Sequence, residues 1–115
     1  MMNMERDFVK ELSDIVLMVI GDVDDKYVDP YRKGCKSLMN VPQDASIVDK
    51  AIDMAKSVGL DVVDCRSKYH YVKIKRNVNA WIRFNLYDMD DANGKEGDLY
   101  SLDVTDNVYY ASLRF

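Results

Sequence analysis

The spacing of apolar residues changes once along this 115-residue chain, at Leu60, and that change limits the fold class. Before it apolar positions recur every three to four residues, and after it they alternate. Phe8, Leu12, Ile15, Val16 and Val19 stand at i, i+4, i+7, i+8 and i+11, one stripe of a helix over about residues 4 to 20, with Gly21 placed to end it. Asp29 and Pro30 offer an N-cap acceptor and a first-turn proline to a short second helix showing Tyr31, Cys35 and Leu38 on one side. Ser46, with Asp49 three residues on, is similar to a capping box and opens a third helix striped by Val48, Ala51, Ile52 and Ala55 and closed by Gly59.

From Leu60 onward β-branched and aromatic residues are frequent, and "LDVVDC", "YHYVKIKR", "AWIRFNLYD", "LYSLDV" and "VYYASLRF" read as strands. "NVN" and "MDDANGKEG" are the turn-like joints between them. The expected fold is therefore α+β, with about three N-terminal helices packed on one face of a four- to five-stranded, mainly antiparallel sheet. A single domain over residues 1–115 fits this length. The expected core is Phe8, Leu12, Val16, Val19, Val48, Ile52, Val72, Ile74, Ile82, Phe84 and Leu86.

Charge is sorted along the chain. The segment "CRSKYHYVKIKRNVNAWIRFNLY", Cys65 to Tyr87, has no Asp or Glu but holds Arg66, Lys68, Lys73, Lys75, Arg76 and Arg83, within a chain of 16 basic and 20 acidic residues. If the strands around Asn77, Val78 and Asn79 pair, alternation turns Val72, Ile74, Ile82, Phe84 and Leu86 toward the helices. Tyr69, Tyr71, Lys73, Lys75, Trp81, Arg83, Asn85 and Tyr87 then share the other side. The opposed pairs would be Lys75 with Trp81, a cation-π contact, Lys73 with Arg83, Tyr71 with Asn85, and Tyr69 with Tyr87. Like charges facing each other destabilise a strand pair, so Lys73 opposite Arg83 calls for an offset. A neighbouring acid such as Asp103, or a bound anion, would provide it. Tyr69, Tyr71, Lys73, Lys75, Trp81 and Arg83 are thus the candidate surface for nucleic acid or another anionic partner. The bland alternative is a solvated or self-associating face balanced by acidic loops, with a homodimer through its aromatic residues.

Catalytic patterns are absent. His70, the one histidine, has the inward parity of a core or edge residue, and no nucleophile motif, phosphate loop or dinucleotide fingerprint occurs. The acidic stretches "DVDDKYVD" and "DMDDANGKEGD" fit a calcium loop poorly, because a loop begun at Asp88 puts Leu99 where a bidentate Glu belongs. No metal, other cofactor or catalytic residue is expected. Cys35 and Cys65 share no metal spacing and are expected to be reduced and buried. The longest apolar run, Ile15 to Ile20, is far short of a membrane span, and the acidic start lacks the pattern of a signal peptide, so a cytoplasmic protein without membrane contact is expected.

From Ser46 to Asp88 the succession of a helix, "VVDCRSKYHYVKIKR" and "NAWIRFNLYD" resembles a small α+β module that follows the nuclease domain in type I restriction-like endonuclease proteins. The matching positions are Arg66, Lys68, Tyr69, Trp81, Ile82 and Arg83. The resemblance implies association with nucleic acid or with a nucleic-acid enzyme, and no catalysis in this chain, which lacks the nuclease portion. By size and charge the chain also looks like the small acidic inhibitors that phages and other mobile elements direct against restriction or CRISPR enzymes. In that alternative Asp22, Asp24, Asp25, Asp88, Asp90 and Asp91 would bind a protein partner through acidic loops.

Overall fold

Alternating burial along the second half of the chain produces one antiparallel sheet, described with its helices in a computed structural model. The structure describes residues 9–21, 28–29, 34–38, 43–88 and 94–113. Helix α1 is Lys10–Ile20, strand β1 Val28–Asp29, β2 Cys35–Leu38, α2 Ala45–Ser57, β3 Asp61–Cys65, β4 Tyr71–Asn77, β5 Ala80–Leu86, β6 Leu99–Thr105 and α3 Asp106–Ser112. The strands lie in the order β1-β2-β6-β5-β4-β3, and every neighbouring pair is antiparallel.

The helices cover one face. Leu12, Ile15, Val16 and Val19 of α1 and Val48, Ala51, Ile52 and Ala55 of α2 are buried against Val72, Ile74, Ile82, Phe84, Leu102 and Val104 of the sheet. Phe84 is fully buried, a contribution of roughly 1.5–3 kcal/mol for a side chain of its kind. The expected core residues are all buried except Phe8, which lies outside the described residues. Gly21 ends α1 with its N–H on the Leu17 carbonyl (2.8 Å). At the end of α2, Gly59 takes a φ of 80° and donates to Lys56, while Leu60 donates to Ala55; this paired closure needs a left-handed residue that glycine supplies without a Cβ clash. The N-cap of α2 is Asp44, whose carboxylate accepts the Ser46 N–H (2.8 Å); Ser46 is already inside the helix.

The expected arrangement of three N-terminal helices on a four- to five-stranded sheet is incorrect in two places. Cys35–Leu38, assigned by sequence to a second helix, is β2, paired with β6 from Cys35↔Thr105 to Leu38↔Leu102. The i, i+3 spacing of Cys35 and Leu38 suits a helix and puts the two on opposite faces of a strand, so pairing with a distant strand overrides the local pattern. Gly34, at a φ of 74°, starts the strand where the proposed helix would have continued. The remaining residues of that proposed helix, Pro30 and Tyr31, lie outside the described residues. The second correction is at the other end, where "VYYAS" is helix α3. Val108, Tyr109, Ala111 and Ser112 are buried at i, i+1, i+3 and i+4, a helical stripe, and α3 packs beside α1 over β5 and β6. Among the described residues the sheet thus has six strands, with helices from both halves of the chain on the same face.

Candidate functional site

Register determines what the open face displays. Three rows cross the sheet: Cys35, Thr105, Trp81, Lys75 and Asp61; Ser37, Asp103, Arg83, Lys73 and Val63; and Ser101, Asn85, Tyr71 and Cys65. The pairs Lys75↔Trp81, Lys73↔Arg83 and Tyr71↔Asn85 are those expected from sequence. Tyr69 departs from expectation. It belongs to the turn before β4, its N–H bonded to the Cys65 carbonyl (2.9 Å), and faces no strand partner across the ladder. His70 is also in that turn rather than in the strand, half-buried at a φ of 58°, with its carbonyl accepting the Leu86 N–H (2.9 Å).

The cation-π pairs run diagonally. Lys73 Nζ, not that of Lys75, lies over the Trp81 ring, 4.5 Å from its centroid, and the Arg83 guanidinium lies 4.2 Å from the Tyr71 centroid. Each cation leans away from the other along the strands, so two ring contacts of about 0.5–1 kcal/mol each replace a head-on repulsion. The sequence paired Lys75 with Trp81 because it considered only directly opposed residues.

Behind Arg83 is a buried polar cluster of which the sequence pointed to one member, Asp103, the neighbouring acid opposite Arg83 on β6. Arg83 Nε donates to Asn85 Oδ1 (2.9 Å), and Asn85 Nδ2 donates to Ser101 Oγ (3.1 Å) and Asp103 Oδ2 (3.2 Å). Ser37 Oγ donates to Asp103 Oδ1 (2.7 Å). Asp103 is only 7% exposed, and its carboxylate acts on Arg83 through the Asn85 amide rather than by a direct ion pair. The available signal was the two-residue spacing of Arg83 and Asn85 on one strand face. On the far side, the Trp81 N–H meets Thr105 Oγ1 (3.3 Å), a side-chain oxygen extending the ladder as β6 turns into α3.

The six cations of the acid-free segment divide into two groups. Arg66 pairs with Asp64 and Asp49 at 2.7 and 2.6 Å, and Arg76 pairs with Glu11 of α1 at 2.6 Å. Among the described residues, Lys68, Lys73, Lys75 and Arg83 have no carboxylate at ion-pair distance. Lys68 lies 5.3 Å from the centroid of Tyr69, whose side chain is 60% exposed. Arg83 is exposed, whereas Tyr71, Lys73, Lys75 and Trp81 are half-buried. The hydrogen bond between the Cys65 side chain and the Tyr71 hydroxyl raises the pKa of that tyrosine. Cys65 is half-buried and Cys35 buried, and neither forms a disulfide.

Asp22, Asp24, Asp25, Asp90 and Asp91 of the acidic-loop alternative lie outside the described residues; Asp88 is exposed just beyond β5. Among the described residues no three His, Cys, Asp or Glu side chains converge as a metal site, and no helix is long and apolar enough to cross a membrane. No protein-family model matches this chain, and neither a curated protein nor a solved structure matches it.

Proposed function

We propose that the chain is a non-enzymatic binding module whose open sheet face holds the phosphates of a nucleic acid between Lys73 and Arg83. One observation carries this: two cations stand in register, each resting on an aromatic ring, with no carboxylate of the described residues paired to either. A phosphate placed between them would be attracted by both charges and would accept from the guanidinium edge that Asn85 leaves open. Lys75 extends the track, tempered by Asp61 opposite it. With Asp103 behind Arg83, three cations face two carboxylates. Binding is thus a local effect on an acidic protein rather than bulk attraction. The free thiols suit a cytoplasmic setting.

The test is fluorescence anisotropy of labelled single- and double-stranded DNA and RNA at low and moderate salt, with a Lys73→Glu, Arg83→Glu variant whose folding is checked by circular dichroism. With Lys73, Lys75 and Arg83 on phosphates, log K against log salt should slope at about −2 for a single strand, and the variant should lose binding. No binding even at low salt would overturn the proposal. If the protein then also has a doubled mass that the variant returns to a monomer, the face belongs to a homodimer.

A further inference from the structure

We infer that the nucleic acid taken by this face is single-stranded, with unstacked bases resting on Tyr69 and on the Arg83 guanidinium that caps Tyr71. This rests on the reading of the face as a phosphate-binding surface and adds the strandedness of its ligand. The Tyr69 and Tyr71 ring centroids are 6.4 Å apart and the rings are tilted by 33°. Tyr69 and the Arg83-capped Tyr71 are separate platforms, and bases stacked about 3.4 Å apart would have to unstack for each platform to take its own base. The Arg83 guanidinium lies 4.2 Å from the Tyr71 centroid on an exposed residue, and a guanidinium plane accepts a base as an aromatic ring does.

The geometry disfavours a duplex. Ser101, Asp103 and Thr105 of β6 are buried on this side, so the accessible face is made by the three strands β3, β4 and β5. A major groove admits a helix or a two-stranded ribbon, not a three-stranded face. A duplex would meet only the cations, leaving Tyr69 without a base face to cover.

Three labelled ligands with equal phosphate numbers separate the possibilities: a single strand, a duplex of the same sequence, and an abasic single strand. Trp81, the one tryptophan, supplies a second signal through its emission. The single strand should bind at least tenfold more tightly than the other two and change Trp81 emission. Tyr69→Ala, at an exposed turn position, should weaken single-strand binding roughly five- to a hundredfold while leaving abasic-strand binding unchanged. Arg83→Lys keeps the charge but loses the plane and the guanidinium edge, and should weaken single-strand binding by more than it weakens abasic-strand binding. Equal, salt-sensitive binding of all three ligands would overturn the inference and leave the phosphate-binding proposal standing. Single-strand preference unaffected by both variants would also overturn it. No binding of any ligand would remove both.

Discussion

Lys73 and Arg83 face each other across β4 and β5, yet their charged ends lie over rings one pair away in opposite directions, Lys73 over Trp81 and Arg83 over Tyr71. Lys73→Glu would exchange a repulsive cross-strand pair for an attractive one and lose the Trp81 contact, two changes of similar size. Its urea midpoint should therefore correspond to a stability within about 0.5 kcal/mol of the parent. Nucleic-acid affinity should nevertheless fall steeply. A large stability loss would show that Lys73 serves the fold rather than a ligand.

Asn85 joins Arg83 to the buried Asp103. Asn85→Ala would leave Asp103 and Ser101 short of a donor, and should cost about 1–3 kcal/mol in urea unfolding. It would also release Arg83 from its anchor and weaken single-strand binding. Binding unchanged at full folding would mean that the Arg83 position does not depend on Asn85.

The Arg66 side chain, hydrogen-bonded to both oxygens of Asp64, holds that carboxyl below the usual aspartate range; the Ser46 N–H does the same for Asp44 at the start of α2. A lowered carboxyl stabilises the fold above the ordinary Asp value of about 3.9 and ceases to do so as pH falls through its own lower value. Arg66→Gln should thus reduce stability at pH 6 by no more than about 1 kcal/mol, because the pair is partly exposed. The difference should shrink below about pH 4 and also with added salt, read from urea midpoints across pH.

Gly94 packs flat against the ring of Tyr87, where an added Cβ would collide with the near edge of the ring rather than with a movable tip. Tyr87 in turn leans on Tyr100, with centroids 5.2 Å apart. Gly94→Ala should cost about 1–3 kcal/mol and alter the near-ultraviolet tyrosine signal. An unchanged midpoint would show that the segment yields without displacing Tyr87.

What was legible in the sequence was whatever alternation or a helical stripe decides locally. Val72, Ile74, Ile82 and Phe84 face the helices because alternation fixes the buried face, and Lys73 meets Arg83 because the short turn after Asn77 selects the register. Cys35–Leu38 was not legible, since four residues carry too little periodicity and their state is set by pairing with Leu102–Thr105. In α3 the helical spacing of Val108, Tyr109, Ala111 and Ser112 was present but hidden by β-forming valine and tyrosines. The site was legible as a set of residues but not as contacts. Which ring takes Lys73, and what holds Arg83, depends on side-chain directions that a list of opposed pairs leaves open.

β6 lies between β2 and β5 although it is the last strand in the sequence. The β3–β4–β5 meander can assemble from neighbours along the chain, whereas β2 has no place in the sheet until residues 99–105 have docked. The Ser37 to Asp103 bond spans 66 positions, and the entropy of closing so long a loop falls late on the folding route. The β1 and β2 pair should therefore join the sheet after β6 has docked. Leu38→Ala, in β2, should speed unfolding while leaving the refolding rate nearly unchanged.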